Sequence, residues 1–124
     1  AEVARVLKPG GQLLLSMPFV YPLHDAPHDY QRYTEHGLAR SATNAGLVIQ
    51  ASQTQGSAIR TAGLMMSLAI AGGITQAPIW LATLLLPFGL MLILATNLIS
   101  AALAVVLPNW RGITQGFQVK ATKA

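Results

Sequence analysis

Residues 7–18, Leu7-Lys8-Pro9-Gly10-Gly11-Gln12-Leu13-Leu14-Leu15-Ser16-Met17-Pro18, are the stretch from which the fold is read. Lys8 suits the C-terminus of a helix, Pro9 cannot continue one, and Gly10-Gly11 supplies a turn. Leu13, Leu14 and Leu15 then form a short apolar run, which predicts a strand buried on both faces of a parallel sheet. Upstream, residues 1–7 read as the end of an amphipathic helix with Val3, Val6 and Leu7 on one face.

Downstream, a polar loop spans residues 21–34. A helix is expected over 34–46, with Thr34 as N-cap, Leu38, Ala39, Ala42 and Ala45 following, and Gly46 as stop. Residues 47–52 read as a second strand. Helix, strand, long loop, helix, strand is the rhythm of a crossover α/β sheet. At the far end, Phe117, Val119 and Ala121 alternate with Gln118, Lys120 and Thr122. That period of two predicts a third strand, at or near a sheet edge.

Between the second and third strands, residues 61–110 contain no Asp, Glu, Lys, Arg or His. The strongest part is 78–107, PIWLATLLLPFGLMLILATNLISAALAVVL. As one straight helix it would be roughly 45 Å long, against a bilayer core of roughly 30 Å. Pro87 removes a backbone hydrogen bond and is expected to kink it, leaving 88–107 as one span. Residues 59–71 are a weaker apolar stretch, with Gly72-Gly73 as the expected turn. Trp80 and Trp110 suit interface depth. A buried core helix is the soluble alternative, but the rest of the chain is too short to cover it. Arg40 and Arg60 precede the block and Arg111, Lys120 and Lys123 follow it, which predicts both ends on the cytoplasmic side. A single crossing is then excluded. The block reads as a two-helix hairpin, a re-entrant pair, or helices in the interface. Thr96, Asn97 and Ser100 share a helical face, either as a helix–helix seam or as tolerated polar residues.

The division expected is therefore residues 1–60 as soluble α/β, 61–110 as a membrane-associated hairpin, and 111–124 as the final strand. Of the 124 residues, 52% are hydrophobic and 10% charged, against roughly 25% charged in a typical soluble domain. That composition excludes a disordered tail. The absence of cysteine excludes a disulfide scaffold, a thiolate metal site and a Cys nucleophile. The net charge of +4 arises from few acids: five basic and four acidic residues occur through Arg60, and no basic cluster exists to hold phosphates. Nucleic acid is not an expected partner.

The run Glu2-Val3-Ala4-Arg5-Val6-Leu7-Lys8-Pro9-Gly10-Gly11, followed by its Leu-rich strand, resembles class I S-adenosylmethionine-dependent methyltransferases. There it forms the helix, turn and fifth strand of a Rossmann-like sheet. The continuation from Pro18 through the His24-Asp25-Ala26-Pro27-His28-Asp29-Tyr30-Gln31-Arg32-Tyr33-Thr34 loop is similar to the type 11 branch, as are Gly37-Leu38 and Ala45-Gly46-Leu47. The resemblance covers residues 1–56 and extends to the tail strand; the apolar block matches a hydrophobic insertion some members carry before the last strand. It implies an α/β fold: the C-terminal part of a Rossmann-like methyltransferase sheet with an inserted hydrophobic helical hairpin. It also implies S-adenosyl-L-methionine as cofactor. The family holds it on a Gly-rich loop after the first strand and an acid after the second, and neither is present. The cofactor-binding residues are expected in a preceding half, with this fragment inactive alone. Gly10-Gly11 cannot replace them, because a nucleotide cradle runs strand, glycines, helix and here the order is helix, glycines, strand.

The loop is the densest group of titratable side chains in the chain, and it follows the C-terminal end of an expected parallel strand, where open α/β sheets place ligands. His24 and His28 are the candidate catalytic bases, since imidazole titrates near neutral pH. Asp25, Asp29, Tyr30 and Arg32 are the candidate substrate-binding residues. A structural reading stands beside this one: Asp29 pairs with Arg32, Thr34 caps the next helix, and Tyr30 and Tyr33 pack the loop down. No metal site is expected, because Pro22 and Pro27 disfavour the helix that would align the histidines. The expected function is methyl transfer to a small or lipid-borne acceptor near a membrane. The alternative is a non-enzymatic anchoring or partner-binding protein derived from a methyltransferase.

Overall fold

The computed structural model describes residues 2–124. In chain order the elements are α1 (Glu2–Val6), β1 (Gln12–Pro18), α2 (Glu35–Asn44), β2 (Leu47–Gln55), α3 (Ala58–Gln76), α4 (Ile79–Val106) and β3 (Gly116–Lys123). They form two units, residues 2–55 with 114–124 and residues 56–113. The helical unit thus begins before Arg60, which lies within α3 rather than in the α/β part.

The first unit is mixed α/β. Its sheet has the order β1-β3-β2, and β3 runs antiparallel to both neighbours. The two outer strands consequently run in the same direction and are joined through α2, but each pairs only with β3, so the sheet is antiparallel and not the parallel one expected from the sequence. The third strand, expected at or near an edge, is instead central. Its alternation is real: Phe117, Val119 and Ala121 are buried while Gln118 and Lys120 are exposed. Alternation reports which face is covered and says nothing about how many neighbours a strand has.

Core formation follows that register. Leu13, Leu15 and Met17 pair with Ala121, Val119 and Phe117, and this face packs with Ala4, Leu38 and Leu47. Leu14 points to the other face and is 76% exposed, so β1 is not buried on both sides. The reason is that α1 and α2 supply apolar residues to one face alone. Likewise the packed residues here are Ala4 in α1 and Leu7 just after it, while Val3 and Val6 are exposed. The end of the chain clasps the first turn: Gly10 N donates to Lys123 O (3.0 Å), Lys123 N to Gly11 O (2.9 Å), and Lys123 Nζ to Leu7 O (2.8 Å). A cation on the last carbonyls of α1 is favourable in charge as well as in hydrogen bonding. Thr34 caps α2 as expected, its Oγ1 accepting from Gly37 N at 3.0 Å.

The second unit is a pair of helices long and apolar enough to cross a membrane, with mean hydropathies of 1.3 and 2.2 over their most apolar stretches. Gly72-Gly73 does not end α3. The helix continues to Gln76, and the break falls at Ala77, whose extended backbone (φ −75°, ψ 153°) is what a following proline imposes. Pro87 lies inside α4, which is helical on both sides of it. Of the three seam candidates, Ser100 is buried, Thr96 half-buried and Asn97 exposed.

Candidate functional site

β1 is prolonged beyond Pro18 by Phe19 N donating to Gln115 O (2.7 Å) and Val20 N to Thr114 O (3.2 Å). Thr114 is itself buried, with its hydroxyl 2.6 Å from Gln55 O. The loop therefore leaves from an anchored strand end. Two prolines prevent it from becoming a helix, and side chains organise it instead. Asp25 adopts the left-handed region (φ 53°), which Asp tolerates better than most residues. The turn it opens is closed by His28 N donating to Asp25 O at 2.8 Å.

Asp29 is the hub. Its Oδ2 accepts from the His24 amide (3.1 Å) and from Arg32 Nη2, and it lies 3.3 Å from His24 Nδ1. The same Arg32 nitrogen donates to Pro22 O at 3.0 Å, tying the start of the loop to its end. The Asp29 side chain is only 10% exposed and that of Arg32 23%, in an otherwise open loop. The His24 amide, above all, holds the Asp29 carboxyl below its ordinary value of 3.8; the charges of Arg32 and His24 add to this, and desolvation opposes it.

These contacts select a tautomer for His24. Arg32 Nη2 carries two hydrogens, and Asp29 and Pro22 use both, so it has none for His24 Nδ1, 3.3 Å away. The other neighbours of Nδ1 are acceptors, Pro22 O at 3.2 Å and Asp29 Oδ2. Nδ1 is thereby assigned the proton, and Nε2 keeps the lone pair. His24 is 41% exposed, its ring set edge-on to Tyr21 (centroids 5.4 Å apart). Nε2 lies 3.9 Å from Asp25 Oδ2.

His28 forms a separate pair, with Nδ1 3.2 Å from the Tyr30 hydroxyl. All six sequence-derived candidates, His24, Asp25, His28, Asp29, Tyr30 and Arg32, nevertheless line one cleft of about 380 Å³. Met17 and Pro18 contribute the end of β1 to it. Gln31 and Tyr33 also line it, joined by a 2.7 Å hydrogen bond from the Tyr33 hydroxyl to Gln31 Oε1. Gln31 escaped the sequence reading because an uncharged amide leaves no signal in a search for titratable groups. Of the structural roles expected for the tyrosines, Tyr33 packs against the core while Tyr30 is largely exposed. Among the described residues, no three His, Asp or Glu side chains converge as a metal-ligand set.

The glycines of the first turn do not form a nucleotide cradle. Gly10 N is committed to Lys123 O, and Gly11 N to Lys8 O at 2.8 Å, which leaves neither amide for a phosphate or ribose. S-adenosylmethionine therefore has no holder in this turn. Compared with known proteins, the chain matches no family model, no curated protein and no solved structure.

Proposed function

We propose that the polar loop is the acceptor side of a methyl-transfer site, built on the C-terminal part of a Rossmann-like, class I methyltransferase sheet and held at a membrane. The observation that carries this reading is the fixed His24 ring. Its Nδ1 proton is held against Pro22 O and Asp29, which leaves Nε2 as a base at the edge of a cleft. An acceptor hydroxyl or amine in that cleft would pass its proton to Nε2, freeing the lone pair that attacks. The imidazolium so formed sits beside Asp29, a carboxylate kept ionised by the His24 amide and Arg32. General-base help of this kind is worth roughly 10²–10⁴-fold. Asp25, Tyr30 and Arg32 supply polar contacts for a small or lipid-borne acceptor, and His28 is a second candidate base.

Two further features support the reading. The mutually parallel β1 and β2 with α2 between them make a crossover unit of the kind that builds doubly wound sheets, where antiparallel strands also occur. The loop also leaves the C-terminal end of β1, the end at which such sheets bind ligands. Arg60, in the first turn of α3, and Arg111, beyond α4, flank the uncharged residues 61–110, which favours the cytoplasmic side for both ends.

S-adenosyl-L-methionine would be held by residues other than the Gly10-Gly11 turn. That missing cradle also favours a second reading, a non-enzymatic anchoring or partner-binding protein derived from a methyltransferase. Calorimetric titration of S-adenosylmethionine separates the two, performed on this chain and on any longer version encoded upstream. Binding by the longer version alone supports the proposal. Binding by residues 1–124 overturns the acceptor-side assignment, and binding by neither leaves the anchoring protein. In an active version, His24→Asn should lower kcat by about 10²-fold or more with little change in KM.

A further inference from the structure

We propose that α3 and α4 cross the bilayer as an antiparallel hairpin, with the Gln76–Ile79 turn on the far side, rather than lying in the plane of the interface. The inference rests on the membrane part of the reading above and not on methyl transfer.

Both ends of the hairpin lie together. Ser57 caps α3, its Oγ accepting from Arg60 N at 3.3 Å, and Ala58 N donates to Asn109 Oδ1 at 3.1 Å, just beyond α4. From there the helices pack lengthwise along small residues. A Cβ added at Gly63 would lie 2.5 Å from Ser100 Oγ, and one at Gly89 would overlap the Ile74 side chain. Contacts at both 63/100 and 74/89 require antiparallel helices in close approach, which small residues permit in membranes. The seam hydroxyls are spent on their own helices. Ser67 Oγ donates to Gly63 O (2.9 Å) and Ser100 Oγ to Asn97 O (3.1 Å). The outward hydroxyls of Thr75 and Thr83 do the same, to Gly72 O and Ile79 O. Hydroxyls spent in this way present no unsatisfied donor to hydrocarbon.

The outer surface decides between crossing and lying flat. A helix in the interface plane needs a polar, basic face. In α4, Leu84, Leu85, Leu86, Phe88, Leu90 and Met91 are all exposed, and at 100° per residue they surround the helix except on the side of Gly89 and Ser100, which packs on α3. A soluble-core helix is also excluded, because only 17% of the most apolar stretch of α3 and 11% of that of α4 is buried. Apart from Thr83 and Asn97 the exposed side chains of α4 are apolar, and the occupant that fits such a surface is lipid acyl chain. Length agrees: the 19 residues of α3 extend roughly 28 Å, close to a hydrocarbon core of roughly 30 Å. The 28 residues of α4 exceed it and bring largely exposed Trp80 and Trp110 toward opposite interfaces.

Because the chain has no cysteine, single-cysteine variants report topology directly. Gln76→Cys marks the turn, Leu92→Cys the mid-helix, and Gln118→Cys the exposed face of β3. Each full-length variant is labelled with a membrane-impermeant maleimide in right-side-out and in inside-out vesicles of the expressing cells. Gln76→Cys and Gln118→Cys should react in opposite preparations, with Leu92→Cys protected in both. Reaction of both in the same preparation, or labelling of Leu92→Cys from water, overturns the crossing. Flotation of the unmodified chain with lipid vesicles is scored separately. Failure to float defeats membrane association itself, while flotation with same-side labelling defeats only the hairpin topology.

Discussion

Asp29 holds the His24 amide, the His24 ring and the Arg32 guanidinium at once, so the order of the loop depends on its charge. Its folded pKa is lowered, so its stabilising contribution is complete above the ordinary value of 3.8 and is lost as pH falls through the lower folded one. The expected observation is a ¹³C NMR titration of the Asp29 carboxyl whose midpoint falls below the ordinary carboxylate range. Asp29→Asn should abolish that acid transition and free the Arg32 side chain. Much of this site was legible in the sequence. The Asp29–Arg32 pair was the structural reading of the loop, and the candidates line one cleft because they lie close together in one short loop. The His24–Asp29 contact was not legible. It depends on a turn through Asp25 in the left-handed region, which residue spacing does not encode.

At the scale of elements, β3 carries the sheet. Phe117 is buried and set against Phe19 with ring centroids 5.7 Å apart. Phe117→Ala should cost about 3–5 kcal/mol in denaturant unfolding, whereas Leu14→Ala on the uncovered face should stay within about 0.5 kcal/mol. In the helical unit, Gly63→Ala should destabilise the hairpin by about 1–3 kcal/mol in micelles, because its methyl meets Ser100. Adding Ser100→Gly should restore most of that loss, and absence of rescue would deny that the two positions touch. The sequence identified the strands and helices well and their neighbours less well. A Gly pair costs helix stability in water and so reads as a stop. Glycine is commoner in membrane helices, however, and α3 runs on until Pro78 dictates the break.

For the whole chain, the charge map was the most informative single reading, because the uncharged residues 61–110 fall entirely within the helical unit 56–113. What it could not supply was the way the α/β part closes, since pairing between β1 and β3 is set by backbone register and not by composition. So much exposed apolar surface predicts that the chain enters the detergent phase on cloud-point separation; recovery as a monomer in the aqueous phase would contradict this. The position of β3 also imposes an order on synthesis. β1 and β2 share no backbone pairing, and the strand that joins them emerges from the ribosome only after residues 56–115 have been made. Until then both present open backbone edges, exposed to whatever binds nascent strands. Closing the sheet across that long intervening segment costs little extra entropy, since loop closure grows only logarithmically with length. A ribosome stalled within α4 should therefore carry a protease-sensitive β1–β2 segment, and resistance should arrive only once β3 has left the ribosome.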